Sequence, residues 1–253
     1  MNKVIIETNG PVRTVWMNRP EKRNALDSEL RRELTEVLRA PVAPGDRVVV
    51  IRGKGDVFCA GLDLAERRET AGTGQVSGIE AMLRAIEECP LPVVAVVQGD
   101  AIAGGNELAL HCDLVVASEK ARFGMSLAQV GLAPNWFLAK KLMEVLGPVT
   151  TREMLLLGDP LPATRLHALG LIARCVPADQ LEAEAARVID RLAANAPLSL
   201  KAMKALTVRQ LDFRDGIPHA DIDEMVRAAM KSEDAREGML ARLEKRAARF
   251  QGR

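Results

Sequence analysis

The chain of 253 residues has the length of one domain, or of one domain with an appendage. Its 48% hydrophobic and 27% charged residues are typical of a soluble globular protein that buries a sizeable core. A formal net charge of +1 and 3% aromatic residues, none of them Tyr, argue against a nucleic-acid partner, because they provide neither an attractive field nor base-stacking surfaces.

The first quarter of the chain predicts two strands, a helix and a third strand. Residues 3–8 and 12–18 are strand-like and are joined by an Asn-Gly-Pro turn, which is typical of a hairpin. A helix with one apolar face begins near Ser28, and residues 48–51 form a buried strand. A loop of small residues, 57–66, follows this strand and leads into another helical start.

The same order of strand, small-residue bend and helix then recurs. Residues 70–78, rich in Gly, Thr and Ser, predict a mobile loop before an amphipathic helix that ends before Pro90. Residues 93–97 form an apolar strand, and after a bend a segment with helical spacing covers 106–112. This recurrence predicts an α/β fold of stacked β-β-α turns.

The last third of the chain is predicted to be helical. A helix covers residues 136–146, and from residue 178 the composition shifts to Ala, Leu, Glu, Lys and Arg. We predict a core of residues 1–195 and a helical C-terminal region of residues 196–253, which packs on the core or on a second subunit. The helices expected beyond residue 177 are 178–194, 198–211, 218–231 and 234–250.

Cysteine usage and hydropathy predict the compartment. The four cysteines, which are far apart and form no C-x-x-C pair, are typical of reduced thiols rather than of disulfides or a zinc site. No apolar run approaches the roughly 18 residues of a membrane-spanning helix, and no signal-peptide core is visible near the start. We therefore expect a cytoplasmic protein with no membrane partner and no bound metal.

Two small-residue loops mark a candidate site. Ala60-Gly61 and Gly104-Gly105 each precede a helical start, and Glu107 lies three residues beyond Gly104. Two backbone N–H groups from separate loops are what an enolate or a tetrahedral oxyanion requires, and each such donor contributes a few kcal/mol. The carboxylate of Glu107 can move a proton next to a carbonyl. The alternative is a tight turn in which Glu107 only caps its own helix.

Three segments resemble the enoyl-CoA hydratase/isomerase, or crotonase, superfamily. They are NRPEKRNALD at 18–27, FCAGLDL at 58–64 and PVVAVVQGDAIAGGNELALHCD at 92–113, and the resemblance covers about residues 3–195. It implies a crotonase-like spiral of β-β-α turns with a helical C-terminal region. It also implies assembly as a homotrimer or homohexamer and an acyl-CoA substrate.

The resemblance assigns roles to individual residues. It implies that the N–H groups of Ala60 and Gly104 form the oxyanion hole for the thioester oxygen, and that Glu107 is the first of two catalytic glutamates. Coenzyme A enters as part of the substrate, so no separate cofactor is expected. The positions implied to line the CoA site are Lys22, Arg23, Ala25, Ala60, Gly61, Leu62 and Asp63.

The chain departs from the family pattern at Leu127, which stands where the second catalytic glutamate is expected. Three hypotheses follow. The first is a lyase or isomerase that acts on a 2- or 3-enoyl-CoA through an oxyanion-stabilised enolate with Glu107 as acid/base. The second is a non-catalytic acyl-CoA-binding protein. The third is other chemistry, such as decarboxylation, with a polar group from residues 66–70. Trp136 is either a core anchor or a wall of the acyl pocket.

Overall fold

The apolar runs of the sequence form the strands of two sheets. The computed structural model describes residues 2–69 and 78–253, so the loop predicted at 70–78 lies outside the described residues except for Gly78. In chain order the strands are β1 (Val4–Asn9), β2 (Val12–Met17), β3 (Val48–Gly53), β4 (Val93–Val97), β5 (Ala101–Ile102), β6 (Leu114–Ser118), β7 (Arg122–Gly124), β8 (Leu161–Pro162) and β9 (Arg174–Val176).

Some of the helices begin at a capping side chain. Asp27 accepts a hydrogen bond from the N–H of Leu30 at 2.9 Å and so caps the first helix. None of the helices that the structure describes combines the length and apolarity that crossing a membrane needs. The helices are α1 (Ser28–Arg39), α2 (Leu64–Glu69), α3 (Ile79–Glu88), α4 (Gly104–His111), α5 (Trp136–Leu156), α6 (Ala163–Ala168), α7 (Leu181–Ala194), α8 (Pro197–Leu211), α9 (Ala220–Lys231) and α10 (Glu233–Leu243).

The larger sheet has the strand order β1-β2-β3-β4-β6-β9. The predicted hairpin of β1 and β2 is antiparallel, and every later pair in this sheet is parallel. A second, short sheet has the order β5-β7-β8, and a parallel bridge between Cys59 and Ala101 extends its row of contacts. Each successive turn of the chain therefore adds one strand to the larger sheet, one strand or bridge to the shorter sheet, and one helix outside both. The predicted α/β fold of stacked β-β-α turns is confirmed.

Strand β4 shows how the core is divided. Val93, Ala95 and Val97 point into the larger apolar cluster, where α1, α3 and α4 cover the sheet. Val94 and Val96 point to the opposite face, where they pack with residues of α7. Burial on both faces explains why this strand is a continuous apolar run in the sequence rather than an alternating one.

Two helices differ in length from their predictions. The helix predicted to end at residue 146 continues as α5 to Leu156, with a break at Gly147, whose φ is 67°, followed by Pro148. Helix α10 ends at Leu243 rather than at residue 250, because the chain turns back and Arg246 pairs with Glu237 at 2.6 Å. At α10 a tertiary contact overrides the helical spacing, whereas in α5 the break lies where the predicted helix ends and a second helical stretch follows it.

Candidate active site

The two small-residue loops of the sequence lie against each other. Cys59 donates its N–H to the carbonyl of Asp100 at 3.1 Å, and the N–H of Ile102 donates to the carbonyl of Cys59 at 2.9 Å. A Cβ atom added at Gly61 would lie only 2.7 Å from the carbonyl oxygen of Ile102 and 3.1 Å from the nitrogen of Gly104. The stacking of successive turns thus brings together segments that are far apart in sequence.

Glycine is required for this contact at more than one position. A Cβ at Gly105 would overlap the carbonyl oxygen of Cys59, and Gly61 has a φ of 89°. Ala103, immediately before α4, has φ 49° and ψ −115°, a conformation that costs about 1–3 kcal/mol in a residue other than glycine. The N–H of Ala103 donates to the carbonyl of Gly124 at 2.7 Å, which holds this strained residue in place.

The structure corrects the prediction for Ala60. Its N–H donates to the carbonyl oxygen of Arg23 at 3.0 Å, so it has no proton to offer a substrate oxygen. Within residues 2–69 and 78–253, the N–H groups of Leu62 and Gly104 donate to no acceptor. Leu62 and Gly104 also line one cavity, so these two amides, one from each small-residue loop, are available as a pair of donors there.

The cavity beside these donors has a volume of about 180 Å³. Its walls are mainly apolar and come from the core and from the helical C-terminal region, through residues such as Ile79, Leu127, Val130, Leu138 and Met230. No aspartate or glutamate is found among the described residues that line it. Leu127 therefore lies at the cavity, as expected for the position of a second catalytic group, but it brings no acid there.

Glu107 lies behind the cavity rather than in its wall. It is fully buried on α4, and neither carboxylate oxygen has a hydrogen-bond donor in the part of the chain that the structure describes. Oε2 is 3.7 Å from Nδ1 of His111, one helical turn further on. Since the carboxylate accepts no N–H of its own helix, the capping alternative for Glu107 is excluded.

Burial determines the protonation of this pair. Desolvation raises the pKa of Glu107 well above its ordinary value, an effect that Lys141 opposes and Glu87 reinforces. Desolvation, helped by Lys141, holds the pKa of His111 well below its ordinary value. Nδ1 of His111 lies 2.8 Å from the carbonyl oxygen of Glu107, and because a carbonyl only accepts, Nδ1 carries the proton. The pair is thus biased towards a protonated Glu107 and a neutral His111.

The turn that contains Lys22, Arg23 and Ala25 packs directly on the loop of Ala60. The N–H of Leu26 donates to the carbonyl of Gly61 at 2.7 Å, besides the bond between Ala60 and Arg23. The side chains of Lys22 and Arg23 are exposed, and Ala25 is half-buried. The backbone of this turn therefore supports the site, whereas its two cations face outward.

Asn24 fixes that turn, and local sequence reasoning missed it. Its side chain is fully buried and donates to the carbonyls of Lys54 at 2.9 Å and Val57 at 2.8 Å. Its Oδ1 accepts the N–H of Arg19 at 3.0 Å, and its φ is 54°. Asn24 belongs to the NRPEKRNALD segment that carries the family resemblance. However, the two carbonyls that it binds lie beyond the next helix and strand of the chain, so the sequence does not reveal these partners.

Asp63 and Glu66, two acidic residues near the loop of Ala60, bind groups of the protein itself. Asp63 pairs with Arg19 at 3.2 Å and accepts the N–H of Ala65 at 3.1 Å at the start of α2. Glu66, proposed as a polar group for other chemistry, accepts the N–H of Ser28 at 2.9 Å, and it is not among the described residues of the cavity wall. The end of that segment, residue 70, lies outside the described residues.

Trp136 joins α5 to the helical C-terminal region. Its indole N–H donates to the carbonyl of Arg214 at 3.3 Å, and its ring stacks on His219 with centroids 4.5 Å apart. It is not among the described residues that line the cavity. Of the two interpretations of Trp136, the structure favours the anchor.

Comparisons with known proteins identify the family to which the chain is similar. The family model for enoyl-CoA hydratase/isomerase matches residues 7–253. An enoyl-CoA hydratase of Mycobacterium tuberculosis is 33% identical over 258 residues, covering 98% of this chain and 96% of that protein. The 2,3-dehydroadipyl-CoA hydratase of Escherichia coli is 31% identical over 255 residues, covering 100% of each.

Among solved structures, methylmalonyl-CoA decarboxylase complexed with 2S-carboxypropyl CoA is similar, with a TM-score of 0.90 and 25% identity. The match covers 100% of this chain and 99% of that one. Proteins of one fold in this set thus carry names for more than one reaction on CoA thioesters.

Proposed function

Because the chain belongs to the enoyl-CoA hydratase/isomerase family, we propose that it is an enzyme that acts on an acyl-CoA thioester through an enolate. The observation that carries this proposal is the pair of unused N–H groups at Leu62 and Gly104, on the wall of one apolar cavity. Both would donate to the thioester oxygen, and they would do so more strongly as that oxygen gains charge.

Glu107 is the proposed proton carrier. Its carboxylate lies behind the cavity and accepts no hydrogen bond from the described residues, so rotation of the side chain towards the substrate breaks no such contact among them. As a base it would take a proton from the α carbon or the γ carbon of an enoyl thioester. As an acid it would return that proton to another carbon of the same enolate. One carboxyl group is therefore enough for isomerisation of a double bond.

Hydration is less well supported than isomerisation. Adding water to a double bond needs one group to activate the water and another to manage the proton at the α carbon. Leu127 provides no such group, and the described wall of the cavity contains no carboxylate. The preferred substrate of the proposed enzyme is therefore a 2- or 3-enoyl-CoA that is isomerised.

Decarboxylation is a second candidate, supported by the likeness to methylmalonyl-CoA decarboxylase. In that reaction the bond between the α carbon and a carboxylate breaks, CO₂ leaves, and the electron pair becomes the enolate. No base is needed for this step. Because burial raises the pKa of Glu107, this residue would hold the proton that the enolate then takes up.

A panel of CoA thioesters tests the proposal. Purified protein is incubated with 2-enoyl, 3-enoyl and α-carboxylated acyl-CoAs while absorbance of the conjugated thioester and product mass are followed. We expect turnover of at least one class and its loss in Glu107→Gln. Turnover that Glu107→Gln leaves unchanged would remove Glu107 from the mechanism. Tight binding without turnover of any member would leave the chain as an acyl-CoA-binding protein.

We further propose that residues 196–253 mediate assembly into a homotrimer or homohexamer. Support comes from large apolar side chains that this region exposes in the single chain, among them Leu198, Met203, Leu206, Phe213 and Met225. Light scattering coupled to gel filtration should give a mass three or six times that of the 27.5 kDa chain. A monomer at micromolar concentration would contradict this part of the proposal.

A further inference from the structure

Asn135 brings an amide side chain to the wall of the otherwise apolar cavity. It lies directly before α5 and belongs to the same wall as Leu62 and Gly104, whose N–H groups are the proposed thioester donors. Leu127 and Leu138 are among its apolar neighbours in that wall. Because a polar group in apolar surroundings costs free energy unless it has a partner, the bonds of this amide are informative.

Two hydrogen bonds fix the orientation of the amide. The N–H of Leu138 donates to one end of it at 3.0 Å, and since a backbone N–H only donates, that end is the oxygen Oδ1. The other end, Nδ2, donates to the carboxylate of Glu80 in the first turn of α3. Capping of α5 uses Oδ1 alone, so the cap does not account for the contact with Glu80.

One hydrogen of the amide remains for a ligand. An amide nitrogen carries two hydrogens, and within residues 2–69 and 78–253 Nδ2 of Asn135 has a single acceptor, Glu80. The carboxylate beside it polarises the amide and strengthens the second N–H as a donor. Asn135 therefore provides a directed hydrogen-bond donor at the cavity.

The other polar side chains of the described wall are placed differently. Ser126 donates its single hydroxyl hydrogen to the carbonyl of Gly158 at 2.6 Å. Arg67 already has a partner within the protein, and Arg242 is exposed. Asn135 is distinguished from these three by its fixed orientation together with an unused hydrogen.

Resting on the proposed function, we propose that the acyl group of the substrate carries an oxygen atom beyond the thioester, as a hydroxyl, carbonyl or ether, and that Asn135 binds it through the second hydrogen of Nδ2. Leu62 and Gly104 hold the thioester carbonyl, and Asn135 selects such chains over plain hydrocarbon chains of equal length. Without this donor, burying the acyl oxygen in the apolar cavity would weaken binding.

Calorimetric titration with three thioesters of equal chain length tests the proposal. They are hexanoyl-CoA and the two analogues in which an ether oxygen replaces the methylene at position 3 or at position 5 of the chain. An ether oxygen accepts hydrogen bonds but donates none, so it reports on donors in the wall. The natural protein should bind at least one ether analogue about fivefold more tightly than hexanoyl-CoA, which corresponds to about 1 kcal/mol.

Three variants assign this preference to a residue. Asn135→Ser keeps a cap for α5, because the serine hydroxyl can accept the N–H of Leu138, but it has no amide hydrogen. It should bind hexanoyl-CoA within about twofold of the natural protein and should bind the ether analogues more weakly than hexanoyl-CoA. Glu80→Gln keeps an acceptor for Nδ2 without the charge and should retain part of the preference. Ser126→Ala is the matched control from the same wall and should retain all of it.

The outcomes separate this inference from the proposed function. If the natural protein binds hexanoyl-CoA at least as tightly as both ether analogues, the inference is overturned and the proposed function stays intact. Retention of the full preference in Asn135→Ser also overturns it, because another donor would then bind the ether oxygen. If the natural protein binds none of the three thioesters, the proposed function itself is contradicted.

Discussion

The two sides of the cavity are built in different ways. On one side, the thioester loops, residues 59–63 and 103–105, offer backbone N–H groups whose positions are fixed by contacts between main-chain atoms. On the other side, the facing wall, residues 125–132, offers side chains of a short 3-10 turn and its flanks. The backbone contacts of the first side leave no space for a side chain larger than that of glycine at Gly61 and Gly105. On the second side, the side chains face the cavity.

This difference separates binding from chemistry. The loops keep their geometry only if Gly61 and Gly105 remain glycine, so the proposed donors for a thioester oxygen depend on the fold itself. Leu127 on the facing wall can be exchanged without touching those contacts. A protein of this fold can therefore lose or gain a catalytic side chain while it keeps the thioester site.

The largest expected effect comes from breaking the thioester loops. In Gly105→Ala the new Cβ overlaps the carbonyl oxygen of Cys59, which is backbone and cannot move aside without shifting the loop. We expect a loss of about 3 kcal/mol in the free energy of unfolding, at the upper end for an overpacked core. Urea denaturation followed by circular dichroism measures it.

Gly216→Ala is the matched control for this substitution. A Cβ at Gly216 would meet nothing within 4 Å, and its φ is not positive. Its free energy of unfolding should stay within about 0.5 kcal/mol of the natural protein. Equal stability of the two variants would show that the loops are not as rigid as their contacts indicate.

A change in the facing wall should leave the fold intact and alter the chemistry. Leu127→Glu puts a carboxylate into the cavity, where with Glu107 it would complete a two-acid arrangement for hydration. We expect the rate of crotonyl-CoA hydration to rise by about 10²-fold, since general acid–base groups contribute at least that much. Leu127→Gln, which has the same length but no charge, should not show this gain.

Protonation of Glu107 gives a smaller and pH-dependent effect. Since its pKa in the folded protein is raised above the ordinary 4.5, the folded state binds the proton more tightly than the unfolded state. Stability is therefore lost as the pH rises from 4.5 towards the folded-state pKa, by about 1.4 kcal/mol for each unit of elevation. Glu107→Gln cannot ionise and should not show this loss.

The measurement is thermal unfolding of both proteins between pH 4.5 and pH 8.5. The stability of Glu107→Gln relative to the natural protein should increase with pH, whatever its value at pH 4.5. His111 is present in both proteins, so its own titration largely cancels in the difference. Parallel stability profiles would mean that the carboxyl group of Glu107 is not held in its neutral form.

The fold could be predicted from the sequence because its signals are local. Continuous apolar runs mark β3, β4 and β6, and the helix break at Gly147 falls where the predicted helix ends. The donors of the site could be predicted only in part. Leu62 supplies the unused N–H instead of Ala60, because Ala60 bonds to the carbonyl of Arg23, in a turn that is distant in sequence. No local pattern reveals such a partner.

The directions of the side chains likewise could not be predicted from the sequence. The spacing places Glu107 one turn into α4 but does not tell that its carboxylate lies beside His111 instead of in the cavity wall. Arg67 follows the predicted loop of small residues, and the sequence analysis assigned it no role. Only the packing of α10 against α2 makes it part of a cavity.

Exchange of the α-hydrogens of an acyl-CoA in D₂O tests the enolate directly, because it requires neither a second catalytic acid nor a complete reaction. The natural protein should incorporate deuterium at the α carbon of pentanoyl-CoA or glutaryl-CoA, as followed by mass spectrometry. Glu107→Gln should do so at least about 10²-fold more slowly. Absence of incorporation by the natural protein, or equal rates for the two proteins, would contradict the account.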